Sequence, residues 1–507
     1  MKRLTWLLFA CACLCACESA TNNDLPALTR EQLLKPETCK DCHPKHYTQW
    51  SASMHAYAGK DPVFLAMNKR GQEATGGQLG EFCVGCHAPM AVREKAITNF
   101  ADVESLPDHL KGVTCYFCHN ATGVGPTHVN ADVNLANDTI MRGPLRNVLE
   151  PSTHKVAYSA YHDAAKPESS ELCGSCHDIK TPLGVRLERT FEEYQSSIVA
   201  QPGIAFQSCQ DCHMKRLPEK QPIATATGRM GESVRARDLH EHLWAAVDVP
   251  LTEFPHAAAM RAAVESCELQ GALSSYFTVE RDPGPLGTLT VTLETQAGHA
   301  MPSGAAQDRR MWVELIAYDA NDKELFRKGV IKDGELEETA EQPHECMFRE
   351  YMLDDKGQET HNFWEAASID KTRSRLLPPT PPGGNLLPGG HSRECTFRPP
   401  LTAAAIVPDH IDLRVRMRPM GMDVLQDLVK SGHLPADIPP RMPTFTVSSY
   451  RANYSATSGN YAIIDTAPGD CDGYRCMLDP ESASCQTTTA GAAASSGAPA
   501  AAGSPAR

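Results

Sequence analysis

Aromatic side chains are scarce in this chain, at 6% of 507 residues, which leaves it short of the large flat bodies that usually dominate a core. Positive charge is also in deficit: 48 Lys and Arg stand against 62 Asp and Glu, a formal charge of -14. That balance argues against nucleic acid as a partner and suits a basic protein surface. Beyond the N-terminus no apolar run is long enough to cross a membrane. At 507 residues the chain has room for two or three domains.

The N-terminus reads as an export signal. Lys2 and Arg3 precede a short apolar stretch, Leu4 to Ala16, of signal-peptide rather than spanning length. Leu14-Cys15-Ala16-Cys17 resembles a bacterial lipobox. Residues 1–17 are therefore expected to be a lipoprotein-type signal with Cys17 as the lipid anchor, Cys13 and Cys11 being the alternatives, and an ordinary secretory signal the plainer reading. Either way the expected location is the periplasm, outer membrane or cell surface, with membrane contact through the lipid alone. Residues 18–37 form a polar tether.

What the chain does have is Cys-x-x-Cys-His, five times: Cys39, Cys42 and His43; Cys83, Cys86 and His87; Cys115, Cys118 and His119; Cys173, Cys176 and His177; Cys209, Cys212 and His213. This is the attachment pattern of c-type haem. The two thiols bond the haem vinyl groups, and the adjacent imidazole binds the iron from one side. Zinc ribbons and redox disulfides also use paired cysteines, but neither requires a His directly after the second Cys. Five covalently attached haem c groups are the expected cofactors, and such flat apolar bodies compensate for few aromatic residues.

The motif starts are unequally spaced, so a solenoid of equal repeats is excluded. Residues 38–250 are expected to be a mainly helical and irregular module packed around the haems. Tyr47 with Trp50, and Phe191 with Tyr194, sit three apart on short helices that would face the haem planes. No alternation there lasts long enough to predict a sheet. Residues 251–285 read as a helical connector. Residues 286–450 change to period two, as in Leu289-Thr-Val291-Thr-Leu293 and Ile411-Asp-Leu413-Arg-Val415, which predicts an all-β sandwich-like domain; Met422 to Lys430 is a possible helix between its strands. Residues 451–507 read as a cysteine-containing disordered tail, low in complexity from Thr487 onward. Cys267, Cys346, Cys395, Cys471, Cys476 and Cys485 suggest disulfides, with Cys346–Cys395 a plausible pair.

The motifs account for one side of each iron, and whether a second ligand closes the other side separates a wire from an enzyme. His46 lies too close to His43 to reach round the haem rim. His55 ends the Tyr47/Trp50 helix and can turn back. His154 and His162 are eight apart, so one helix would offer both from a similar face. His128 follows a Gly-Pro turn. His240 and His242 cannot share a helical face, so one is expected to bind, and His242 is taken. His299, in Gly298-His299-Ala-Met-Pro302, would lean from the β domain into the haem region. A surface or hydrogen-bonded histidine is the ordinary alternative for each. Met90 and Met214 stand too near their own motifs to serve.

The run from Cys39 to Ala56, Gly112-Val-Thr-Cys-Tyr-Phe-Cys-His119, Cys173-Gly-Ser-Cys-His-Asp178 and Cys209-Gln-Asp-Cys-His-Met214 resemble the bacterial multihaem cytochrome c family related to the tetrahaem cytochromes that accept electrons from hydroxylamine oxidoreductase. The Gly298–Gly304 loop resembles a β-rich C-terminal half of some members. The resemblance covers about 38–450. It implies electron transfer through closely stacked, mostly bis-His haems, and favours His55, His154, His162, His240 or His242, and His299 as distal ligands. The fifth motif and the β domain depart from the tetrahaem pattern, and no Cys-x-x-Cys-Lys site of the pentahaem nitrite reductases is present. The first expectation is an exported electron carrier between redox proteins, other cytochromes among them, with self-association possible. The alternatives are an oxidoreductase acting on a small nitrogen or sulfur compound at one open haem, and a docking or assembly protein that uses its β domain.

Overall fold

Prolines and capping side chains divide the motif-bearing half into short helices. The computed structural model describes residues 26–148, 153–225, 234–269, 271–280, 288–337, 346–370, 375–381, 391–398, 407–466, 473–480 and 485. The signal segment, Cys17 and the chain from 486 onward lie outside them. Helix α1 (Pro44–Ala52) starts directly after His43 with proline in its first turn, where no amide partner is needed, and stops at Ser53. The Ser53 hydroxyl then caps the next turn, Met54–Tyr57, which carries His55. Helix α2 (Pro62–Ala74) is capped by Asp61 and buries Val63, Ala66 and Met67. Thr114 and Ser208 cap the turns Cys115–His119 and Cys209–His213. The His43, His87 and His177 amides donate to the carbonyl of the first cysteine of their own motifs. One helical turn thus brings both thiols and the imidazole to one side.

Four two-stranded ribbons interrupt these helices: 121–124 with 133–135, 140–143 with 155–158, 178–180 with 186–189, and 221–222 with 236–237. The expectation of helices and loops alone is corrected here; strands of two to four residues are too short to register as alternation. His154 and His162 likewise do not share a helix. A strand, Lys155–Tyr158, and a short 3-10 turn, Ala160–His162, separate them.

The C-terminal part is sheet-rich, and its described strands form no closed barrel. Strands β1 (Leu273–Glu280), β2 (Thr288–Thr295), β3 (Arg310–Tyr318), β4 (Glu324–Lys328), β5 (Ser392–Phe397), β6 (His410–Arg418), β7 (Phe445–Ser455) and β8 (Asn460–Asp465) form two antiparallel sheets. Their orders are β5-β2-β1 and β4-β3-β6-β7-β8, with Met347–Phe348 pairing to β3. Leu289, Val291 and Leu293 of β2 share one apolar core with Val313 and Leu315 of β3, Leu413 and Val415 of β6, and Val447 of β7. The register pairs Val313 with Val415 and Leu315 with Leu413, so period-two burial is enforced on both strands. The Cys346–Cys395 disulfide lies in this core.

Three boundaries move. The sheets begin at Leu273, inside the expected connector, which holds α4 (Ala257–Ala263), while α3 (Thr190–Ser196) lies in the module before it. They continue to Asp465, beyond the expected limit at 450. The segment expected to be disordered contains α6 (Gly473–Leu478), with Tyr474 buried, and the Cys476–Cys485 disulfide. Helix α5 (Met422–Lys430) stands where the sequence suggested it, packing Val424, Leu425 and Leu428 against Val63, Ala66 and Met67 of α2. The two halves therefore share cores. Ala52, Leu243, Ala245 and Val247 of the haem module join the sheet core directly. No helix among the described residues is long and apolar enough to cross a membrane.

Buried charges knit α5 to the sheet edge. Arg310, fully buried, places its guanidinium on both Asp423 oxygens at 2.8 and 2.7 Å. His361 bridges Asp308 at 3.3 Å and Asp423 at 3.1 Å, one carboxylate on each ring nitrogen, an arrangement only the imidazolium satisfies. Burial opposes that charge, but the hydrogen bonds and charges of Asp308 and Asp423 outweigh it and hold the group up at about 9. The folded value lies above the unfolded one of about 6.5, so this contribution is complete below about 6.5 and is lost as pH rises through the folded value. Thermal unfolding scans should give a plateau at low pH and a falling midpoint towards pH 9, with up to about 3 kcal/mol at stake. His361→Gln should flatten that slope, and an equally steep slope in the variant would remove His361 from the account.

Candidate haem cavity

All fifteen motif residues line one continuous cavity of about 1930 Å³, larger than a single small-molecule pocket of roughly 300–1,000 Å³. All ten motif cysteines are free thiols. Their thiols also lie close enough to influence one another across motifs: Cys39 with Cys115, Cys86 with Cys176, and Cys173 with Cys209. Motif order along the chain is therefore not neighbour order in space. The first motif adjoins the third, while the fourth adjoins both the second and the fifth.

Histidines oppose the motif imidazoles at a recurring distance. Ring centres are 6.3 Å apart for His43 and His154, 6.3 Å for His177 and His55, 6.2 Å for His119 and His242, and 6.2 Å for His213 and His299. Two imidazoles on opposite sides of one metal, each with its nitrogen about 2 Å away, have centres about 6.3 Å apart. The interplanar angles are 39°, 53°, 12° and 13° in the same order.

The second ring nitrogen completes the pattern. Nδ1 of His43 donates to Ile223 O at 2.8 Å, that of His119 to Arg142 O at 2.6 Å, and that of His213 to Ala245 O at 3.0 Å. On the facing side His154 donates to Lys155 O, His242 to His240 O and His299 to Ala300 O. Such bonds fix the tautomer and aim Nε2 at a metal. Burial also favours the neutral form of several facing rings: it depresses His55 to about 3 and His177 to about 4, with neighbouring imidazoles adding to the effect. A neutral imidazole is the ligating form.

The remaining histidines are placed otherwise. His162 stacks on His119 at 5.3 Å, but its Nε2 donates to Cys118 O at 2.8 Å, so the atom that would reach an iron is already engaged. His240 Nδ1 donates to Met214 O at 2.7 Å, and His128 lies against Phe191. His46 is 6.2 Å from His43 and edge-on to His242 at 4.6 Å; unlike His154, it comes from the same local turn as His43. His87 differs from the other four motif histidines. Its ring is stacked by Phe64 at 4.0 Å and 2°, and among the described residues no second imidazole opposes it at the distance of the four pairs.

Several contributors were not foreseen. Trp244 is edge-on to both His55 and His242, at 4.7 and 5.2 Å. Glu193 of α3 holds the His299 loop, accepting from the Ala300 amide at 3.0 Å while pairing with Arg375. Arg309 forks onto Asp248 at 2.9 and 2.8 Å. Aromatic spacing did point to α1 and α3, whose Tyr47, Trp50, Phe191 and Tyr194 line the cavity, but no linear spacing marks Phe64 or Glu193.

The first three motifs decide the comparison. Residues 38–120 match the family model described as cytochrome c554 and c-prime. No curated protein matches the chain in sequence. The fold is similar to the crystal structure of a penta-haem cytochrome c552 from Thermochromatium tepidum, with a TM-score of 0.56 and 19% identity over 84% of this chain and 99% of that one. Both findings fall on multihaem c-type cytochromes, and the likeness extends across the β-rich part.

His55 depends on one glycine. Gly112 adopts φ +90°, and a Cβ there would lie 2.5 Å from His55 O and 2.8 Å from Ala56 O, both unyielding backbone atoms. Next to it the Val113 amide donates to His55 O at 2.8 Å. Gly112→Ala should destabilise the fold by about 1–3 kcal/mol, measured as a lower denaturant midpoint at unchanged slope. An unchanged midpoint would show that this approach is not required.

Proposed function

We propose that the chain is an electron-transfer protein holding five covalent haem c groups. The observation that carries this reading is the four imidazole pairs at 6.2–6.3 Å. When bound, haem c supplies one-electron carriers whose potentials follow axial ligation, burial and charge. The chain's own contribution is placement. The ten motif thiols would tether the haems, the five motif imidazoles would bind their irons, and His154, His242, His55 and His299 would supply the second imidazole for the first, third, fourth and fifth motifs. His162, with Nε2 on Cys118 O, serves the third site as packing. The thiol contacts give neighbouring attachment points a short separation, as successive transfer steps require.

Kinship with the tetrahaem acceptors of electrons from hydroxylamine oxidoreductase, export with a lipid anchor at Cys17, and exchange with other cytochromes belong to the same proposal. The Cys346–Cys395 and Cys476–Cys485 disulfides support a location outside the cytoplasm. That no second imidazole opposes His87 among the described residues favours a second reading, an oxidoreductase that meets a small nitrogen or sulfur compound at that haem.

The test is haem-loaded protein from a host that matures c-type cytochromes. Mass spectrometry should count five haems, and electron paramagnetic resonance should find four low-spin bis-His signals. His55→Gly, His154→Gly, His242→Gly and His299→Gly should each convert one low-spin haem to high spin, whereas His162→Gln should convert none. Four unchanged spectra would overturn the assignment. Carbon monoxide binding to a single reduced haem of the unaltered protein would favour the second reading, and its absence would favour a pure carrier.

A further inference from the structure

Glu241 is a carboxylate at 4% exposure, set between His240 and His242. A buried carboxylate needs partners to stay charged. Its partners come from a distant part of the chain: Oε2 accepts from Tyr474 Oη at 2.7 Å and Oε1 from Arg475 Nε at 2.5 Å. Both donors sit on α6, which packs against α4 and touches α1. Tyr474 is 3% exposed and belongs to the main apolar core. Lys45 of α1 secures the end of the same helix by pairing with Asp479 at 2.8 Å.

The loop that Glu241 belongs to is held from two more directions. The Glu241 amide donates to Lys215 O at 2.9 Å, just after the fifth motif. The His242 amide donates to Gln49 Oε1 of α1 at 3.0 Å. Neither bond carries a charge, and the C-terminal helix supplies the cation. If Arg475 is neutralised, Glu241 remains as an uncompensated anion one residue from His242.

We propose that Tyr474 and Arg475 are positioning residues which, through Glu241, fix the loop presenting His242 opposite His119 and set the electrostatic field there. This rests on His242 being an iron ligand. The sign follows from charge: an unbalanced anion favours the ferric state, so losing Arg475 lowers the potential of that one haem.

The experiment uses full-length, haem-loaded protein and compares His242→Gly, Arg475→Gln, Arg475→Lys and Tyr474→Phe by electron paramagnetic resonance, potentiometric titration and thermal unfolding. His242→Gly identifies the haem by converting its signal to high spin. Arg475→Gln should shift that haem about tenfold towards the ferric form, about 59 mV for one electron, and move its g values, leaving the other four unchanged. Arg475→Lys should restore the potential, and Tyr474→Phe should alter the g values with a smaller shift in potential. The proposal is overturned if His242→Gly converts one haem while Arg475→Gln and Tyr474→Phe leave that haem as in the parent. It is equally overturned if Arg475→Gln lowers the thermal midpoint and disturbs all haems alike without rescue by Lys. If His242→Gly converts no haem, the ligand assignment fails instead, and the proposal with it.

Discussion

Six of the eight paired imidazoles depend on a bond from Nδ1 to a backbone carbonyl. An imidazole can bind iron through Nε2 only while it is neutral and correctly turned, and a histidine alone guarantees neither. Burial favours the first condition at His43, His119, His154, His242 and His299, and the carbonyl bond supplies the second. The carbonyls come from residues such as Ile223 and Ala245, on loops, and Arg142, on a two-stranded ribbon. Those segments have to run past the cavity in a fixed path, which is one physical reason the module is broken into short helices, two-stranded ribbons and loops. A long regular helix would spend its carbonyls on itself.

The sheet-rich part is not an appendage to this arrangement. Its core includes Ala52 and Leu243 from the module, and the loop that bears His299 is held by Glu193 and Thr190 of α3. Arg375 pairs with Glu193 from the opposite side. The β strands thus provide a rigid base, and the module provides the hydrogen bonds that aim the loop inward. The sheets and the module meet where His299 stands opposite His213 of the fifth motif.

Much of this was legible in the sequence because chemistry fixes it locally. The five motifs declare their thiols and proximal imidazoles within five residues each, and α5 and the alternating strands β2 and β6 announce themselves by period. His55, His154, His242 and His299 were also on the page as candidates, but spacing could not pair them. Pairing is set by long-range packing: the spacing of eight residues suggested one helix for His154 and His162, whereas ribbon pairing with 140–143 made the intervening segment a strand. The C-terminal helix was missed for a related reason. Its surroundings are low in apolar content, and its stability comes from the Glu241 bonds, the Tyr474 packing and a disulfide rather than from any amphipathic stripe. Phe64 against His87 carries no linear signal at all.

Each of the four imidazole pairs joins two positions far apart in the chain, and three of the four are completed by a residue that follows its motif. His43 waits for His154, His119 for His242, and His213 for His299, whereas His177 meets a His55 that precedes it. A chain emerging from its N-terminal end therefore presents these motif imidazoles well before the ones that face them. At the first, third and fifth motifs the motif imidazole is therefore made before the one that stands opposite it. The order of synthesis is in this sense a schedule of exposure. Non-local closure of this kind is slow, and the last closure, at His299, has to wait for the strands that flank it.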